Sequence, residues 1–370
     1  MRIRQATSSD VDAILDLLTH YELPRAAFEP YYAVDSTYRP EHSWVAEERG
    51  RLLAHLRIYE RRMRLLGGVV RMGGIGNVVT HRDARGRGIA HALLDRVCEH
   101  LDAQYAVSLL WTHAPALYSA HGWQRVPDDG LVVRSQPTAH PAPRTRRGDD
   151  RDIDDALRLE ERANRAGTMV RTRTHWLEQR AWLHEDTSRF LVCCAGGALR
   201  GYLRVRRAKN GLDVLELGFM PRDQEVALQL LSSVSPPAQR LRLAAPPSVR
   251  TALMQWDVLE SLPGHMMLRL CSPRVFVEDL GETLRKRIGK RSARVTLRAG
   301  AAAFALEVKP SGVTSSPAAG DSALGAERTA HLILRGCSAQ NPELAGRPDR
   351  HALVTLFPEQ DTVVWPSDRF

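Results

Sequence analysis

The chain is poor in cysteine, aromatic residues and lysine, and it has no long apolar run. Its five cysteines are Cys98, Cys193, Cys194, Cys271 and Cys337. None forms a C-x-x-C pair or has a histidine at zinc spacing, so no zinc framework or other metal site is expected, and reduced thiols in a cytosolic protein are. No apolar stretch approaches the length of a membrane span, and the N-terminal stretch lacks a signal-type apolar core, so a cytoplasmic protein with no membrane span is expected. The net charge is +9, from 52 basic and 43 acidic residues. Only Lys209, Lys286, Lys290 and Lys309 are lysines, a usage typical of a GC-rich bacterial genome. The arginines are scattered among acids with no interleaved aromatic stripe, which argues against nucleic-acid binding. Two catalytic motifs are also missing. No Gly-Lys-Ser/Thr follows a glycine loop, which excludes a Walker site, and no Gly-x-Ser-x-Gly supports a hydrolase triad.

With 370 residues, 43% hydrophobic and 26% charged, the chain is globular and long enough for two or three domains. It is organised around Val78 to Leu94, which reads as strand, glycine-rich loop and helix. In the helix, Ile89, Leu93 and Val97, with Leu94, Cys98 and Leu101, form one apolar stripe opposite Asp95, Arg96 and Glu99. Gly86 and Gly88 let backbone N–H groups approach a ligand, and Arg82, Arg85 and Arg87 crowd the same turn. Free N–H groups and the positive end of the helix dipole there suit an anion, most simply a phosphate. Gly86-x-Gly88 lacks the third glycine of a dinucleotide loop, so a nucleotide-dependent oxidoreductase rests on the loop alone.

The stretch Arg85-Gly86-Arg87-Gly88-Ile89-Ala90 resembles the Arg-x-x-Gly-x-Ala motif of the GNAT acyltransferases. A second stretch, Ala114-Pro115-Ala116-Leu117-Tyr118 followed by Gly122-Trp123, is similar to that superfamily's Ala-x-x-Leu-Tyr and Gly-aromatic. The resemblance implies that acetyl-coenzyme A is the co-substrate. Its pyrophosphate would sit on Gly86, Arg87, Gly88, Ile89, Ala90 and His91, and its pantetheine arm would pair with Val78, Val79 and Thr80. His113 and Ala114 would lie beside the thiol, and Tyr118 would protonate the leaving thiolate. The oxyanion donor would be the backbone N–H of Val78 or Val79. His113 and His121 have no evident carboxylate partner in the sequence and read as structural or surface histidines.

Along the chain, Ser8 to Asp12 starts a helix with Val11, Ile14, Leu15 and Leu18 on one face. Glu22 to Arg39 is aromatic and acidic (Phe28, Tyr31, Tyr32, Asp35, Tyr38), and the resemblance places it over the acceptor site. Trp44 to Ile58 is a hairpin turning at Arg49-Gly50, Tyr105 to Trp111 a strand, and Leu131 to Val133 the closing strand of this domain. Pro137 to Asp150 reads as a linker. The spacing then begins again. A helix starts at Asp150, a hairpin spans Leu191 to Val205, strand and helix follow from Leu215 to Leu231, and Pro247 to Trp256 stands where Tyr118 stood. Both loop glycines are replaced there by Pro221-Arg222-Asp223-Gln224-Glu225, and no tyrosine answers Tyr118, so one active site per chain is expected. From Arg274 a third region begins. Phe276 to Ile288 is a helix. Ala293 to Leu297, Ala303 to Val308 and His331 to Leu334 are strands, and Pro310 to Asp321 is a loop.

Two GNAT-like domains, the second degenerate, followed by a sterol-carrier-like α+β domain resemble the enhanced-intracellular-survival acetyltransferases over essentially the whole chain. The boundaries that follow are 1–140, 141–272 and 273–370. The resemblance implies acetyl transfer to a primary amine on an aminoglycoside, a polyamine or a lysine side chain, and assembly as a homohexamer. It also implies that the terminal carboxylate of Phe370 acts as the base, with Trp365 and Phe370 anchoring the tail. A non-catalytic coenzyme A sensor whose last domain binds an apolar ligand is the other reading of the same residues.

Overall fold

The computed structural model describes every residue except 128–129, 137–144, 235–238, 301, 321–322 and 370. Phe370, the expected base, and most of the expected linker therefore lie outside the described residues. In chain order the strands are β1 (Arg2–Gln5), β2 (Ser43–Glu48), β3 (Arg51–Leu65), β4 (Gly68–Thr80), β5 (Val107–Trp111), β6 (Gln124–Arg125), β7 (Gly130–Arg134), β8 (Thr145–Arg147), β9 (Leu191–Ala195), β10 (Ala198–Ala208), β11 (Gly211–Phe219), β12 (Arg240–Ala244), β13 (Val258–Leu262), β14 (Met266–Leu270), β15 (Ala293–Ala299), β16 (Ala302–Lys309) and β17 (Gly312–Pro317). The helices are α1 (Val11–Leu18), α2 (Glu29–Ala33), α3 (Ile89–Gln104), α4 (Pro115–Ser119), α5 (Ile153–Ala163), α6 (Arg173–Leu183), α7 (Gln224–Ser233), α8 (Pro247–Leu253), α9 (Pro273–Ile288), α10 (Ala326–Arg335) and α11 (Arg350–Leu356). No described helix is long and apolar enough to cross a membrane.

The chain forms two compact units. One comprises Met1–Val126 with His265–Gln360, and the other Pro127–Gly264 with Asp361–Arg369. The first unit holds a mixed seven-stranded sheet in the order β1-β2-β3-β4-β5-β14-β6, antiparallel throughout except for the parallel β4–β5 pair. Helix α3 lays its stripe of Ile89, Leu93, Leu94, Val97 and Leu101 on this sheet, all buried, as the 3.6-residue period requires. The second unit holds a sheet in the order β13-β7-β12-β11-β10-β9-β8, in which only β11–β12 is parallel. Read from its β8 edge, it repeats the first sheet position for position.

These units differ from the three consecutive segments expected from the sequence. Strand β7, expected to close the first sheet, lies between β12 and β13 of the second. Strand β14 lies between β5 and β6 of the first. Apolar alternation specifies which face of a strand is buried and not which neighbour it pairs with, so the exchange carries no sequence signal. The expected linker also ends earlier, because Thr145–Arg147 pairs with β9 as an edge strand.

Residues 273–360 belong to the first unit. Arg71 on β4 pairs with Asp279 on α9 at 3.0 Å, and the Leu66 N–H donates to the Gln360 side chain at 2.6 Å. The strands β15, β16 and β17 make a three-stranded antiparallel sheet. Two expectations fail here. His331 to Leu334 is part of helix α10 rather than a strand, and the expected loop Pro310 to Asp321 contains β17.

Candidate active site

The glycine loop and the start of α3 form as expected. Gly88 is the N-cap of α3 with φ +72°, and Gly86 has φ +76°. Both lie in the left-handed region, which glycine enters without a Cβ penalty. The first intrahelical bond runs from the Ala92 N–H to the Gly88 carbonyl at 3.1 Å, and no side chain caps the helix. The N–H groups of Ile89, Ala90 and His91 therefore have no acceptor within the helix. A Cβ built at Gly86 or Gly88 would meet nothing within 4 Å, so both glycines border open space beside the helix start. The seat fits a pyrophosphate. Of the three arginines, Arg85 reaches back to the Thr80 carbonyl at 3.3 Å and the His20 carbonyl at 3.2 Å. Arg82 reaches the His20 ring at 3.3 Å. Arg87 is instead paired with Glu48 at 3.1 Å, so its guanidinium is shared with an acid.

Next to the loop the sheet opens. β4 and β5 pair only at Met72–Gly74 with Val107–Leu109, and each strand continues beyond that point. Val78 and His113 lie four residues past the last pair, Gly74 and Leu109, on either side of the gap. On the other edge of β4, Leu56 of β3 faces two β4 residues, Asn77 and Val78, because the register shifts between His55–Val79 and Arg57–Gly76. This is a β-bulge, and Asn77 has φ +53°. The His81 N–H donates to the Leu53 carbonyl at 2.8 Å, which makes His55–Val79 the next hydrogen-bonded pair of the ladder. Val79 is thereby committed to β3, whereas the backbone groups of Val78 and Thr80 face away from it. The Val78 carbonyl accepts from the Tyr21 hydroxyl, and the Thr80 carbonyl accepts from Arg85. Of the two expected oxyanion donors, the ladder leaves Val78 available.

Tyr118 sits on α4 with its ring edge-on to Trp123, centroids 6.1 Å apart, and is 7% exposed. Burial pushes its phenol up to about 12, so the hydroxyl keeps its proton at any ordinary pH. His113 is exposed and lies tilted against His265, ring centroids 4.2 Å apart, and the Ala114 N–H donates to the Thr112 hydroxyl at 2.9 Å. His121 does have a carboxylate partner, contrary to the sequence reading. Its Nδ1 lies 3.2 Å from Asp95, and its Nε2 lies 3.1 Å from His91 Nδ1. Asp95 and His91 are one helical turn apart on α3, and only the turn after α4 brings His121 to them. Burial lowers the pKa of His121 against the pull of Asp95.

Residues 2–126 match the family described as Acetyltransferase (GNAT) domain. Residues 2–126 form a GNAT acetyltransferase domain. No curated protein matches the chain. Solved structures share the fold along its whole length. A conserved protein of unknown function from Enterococcus faecalis, described as a probable N-acyltransferase, is 17% identical with a TM-score of 0.75, covering 100% of this chain and 99% of that one. A GCN5-related N-acetyltransferase from Anabaena variabilis is 14% identical with a TM-score of 0.75, covering 100% of both. Eis1 from Mycobacterium abscessus is 16% identical with a TM-score of 0.68, also covering 100% of both. At these identities the likeness is one of fold.

Within the acetyltransferase domain, the aromatic and acidic segment packs on β3 and β4 through residues that sequence reading passed over. Arg57 is fully buried, 2.6 Å from Asp35, with its guanidinium 4.0 Å from the Tyr59 ring centroid and 4.5 Å from that of Tyr38. Arg61 also reaches Asp35 at 3.1 Å. The two arginines hold the Asp35 carboxyl well below the usual carboxylate range. Asn77, Tyr21 and His55 were the other omissions. The available signal was Gly76-Asn77 inside a strand pattern, which marks a bulge.

In the second unit the corresponding turn holds Asp223 in place of the glycines, paired with Arg200 at 2.6 Å. The chain's tail is fixed in this unit. Trp365 is fully buried, the Gln179 amide donates to the Ser367 carbonyl at 2.7 Å, and the Met169 N–H donates to Asp368 at 3.2 Å.

Proposed function

We propose that the chain moves the acetyl group of acetyl-coenzyme A onto a primary amine, of which aminoglycosides, polyamines and lysine side chains are the candidates. The observation that carries this reading is the union, in one acetyltransferase domain, of the uncapped helix start at Gly88 with the β4–β5 gap beside it. The thioester supplies an activated acetyl group. The chain's residues then hold the phosphates at Gly86 to His91 and the arm along Val78 to Thr80, with His113 and Ala114 beside the thiol end.

The neutral amine attacks the carbonyl carbon, the N–C bond forms and the oxygen takes the charge. The N–H of Val78 is suited to that charge, because Val79 is committed to the ladder. As the C–S bond breaks, the electron pair leaves on sulfur and Tyr118 supplies the proton. The proton on nitrogen goes to the terminal carboxylate of Phe370. A free α-carboxylate has a pKa of about 3.3–3.7, a weak base for an ammonium but adequate once the nitrogen belongs to the tetrahedral adduct.

The matching strand orders support a second unit that is a degenerate copy of the first, and the α9, β15–β17, α10 and α11 segment fits a sterol-carrier-like domain. The homohexamer rests on resemblance. The test of the function is thiol release from acetyl-coenzyme A with each amine class. Wild type should turn over at least one class, and Tyr118→Phe should lower kcat by about 10²–10⁴-fold with little change in KM. Coenzyme A binding with no thiol release on any amine would instead favour the sensor.

A further inference from the structure

We propose that Asn77 is a positioning residue for acetyl transfer, and that Tyr32 fixes it from the segment over the acceptor. This rests on the reading above and deepens it. Asn77 is the bulge residue that decides which β4 backbone group faces the gap. Without the bulge, the ladder would continue in phase, Val78 would pair with β3, and every later side chain would change face. The left-handed backbone there costs an ordinary L-residue about 1–2 kcal/mol and asparagine less.

Three bonds hold this conformation. The Asn77 amide nitrogen donates to the Tyr32 hydroxyl at 3.2 Å and to the Tyr59 hydroxyl at 3.1 Å, which uses both of its protons. The Asn77 carbonyl lies 3.0 Å from His55 Nδ1, whose proton it accepts. Each partner is itself fixed. His55 is fully buried, and Tyr59 lies under the Arg57 guanidinium. Tyr32 stands on α2, three residues before the Asp35 that pairs with Arg57. The stretch from Tyr21 to Tyr32 therefore touches two consecutive β4 residues, Asn77 through Tyr32 and Val78 through Tyr21. Tyr32 lies outside the reacting groups, so its effect on the reaction must pass through Asn77.

The experiment compares Tyr32→Phe, Asn77→Gly, Asn77→Ala and the double variant Tyr32→Phe/Asn77→Gly with wild type, measuring kcat, coenzyme A affinity and thermal midpoint. Tyr32→Phe should lower kcat about tenfold, the equivalent of one hydrogen bond, with coenzyme A affinity changing less than kcat. Asn77→Gly keeps the left-handed backbone and should lose a similar factor. Asn77→Ala does not favour that backbone and should lose about 10²-fold, the cost typical of a displaced oxyanion donor. The double variant should be no slower than Asn77→Gly alone. A purely structural role would lower the thermal midpoint and leave kcat per folded molecule unchanged. That result, or losses that multiply in the double variant, overturns the proposal while wild type still turns over. A wild type that binds coenzyme A but acetylates nothing overturns the acetyl-transfer reading and this proposal with it.

Discussion

His55 is buried without a charge, and that has a consequence for stability. Its imidazole is pushed from 6.5 down to about 3, by burial first and by Arg57 in addition. Unfolding below pH 6.5 lets it take up a proton that the folded chain refuses. The stability it contributes is present above pH 6.5 and is lost as pH falls toward 3, at about 1.4 kcal/mol per pH unit. His55→Gln keeps a donor for the Asn77 carbonyl and removes the titration. Between pH 7 and pH 5, urea unfolding of wild type should therefore lose about 2 kcal/mol more than that of the variant. Equal losses would show that His55 titrates normally. The same scale explains what was legible in the sequence. Gly86 and Gly88 were readable because only glycine enters that backbone freely. The pairing of Arg87 with Glu48 and of His121 with Asp95 was not readable, since each joins residues from separate elements.

Elements were readable where their period was long. The six stripe positions of α3 from Ile89 to Leu101 leave one helical solution, and that helix formed with five of them buried. His331 to Leu334 holds only three apolar residues in a row, and so short a run fits strand or helix equally. Its context decides: Thr329 and Ala330 extend the buried face, and Gly336 ends the helix at φ +72°. β17 is polar and exposed because it is an edge strand, pairing with β16 alone, so it carries no alternation to read. The tail from Asp361 to Arg369 behaves as an element too. Asp361 accepts from Arg165 at 2.7 Å, and Trp365 is in the core. If the carboxylate of Phe370 is the base, residues appended after it should abolish acetyl transfer while coenzyme A still binds, and an N-terminal tag should do neither. Unchanged kcat in the extended chain would move the base to a water or to His113.

At the scale of the whole molecule, the repeat of spacings was legible and the exchange of β7 and β14 was not, because the two sheets offer equivalent positions. One unit keeps two glycines ahead of its uncapped helix start, and the other carries Asp223 there, paired with Arg200. That asymmetry makes the Gly86–His91 loop the centre of the chemistry. Gly88→Glu tests it most directly. The side chain would enter open space beside the helix start, and its charge would repel a pyrophosphate bound there. The left-handed backbone adds about 1–2 kcal/mol of strain, which a folded domain tolerates. Acetyl-coenzyme A kinetics of the folded variant should show a steep rise in KM. Saturation indistinguishable from wild type would contradict phosphate binding at this loop.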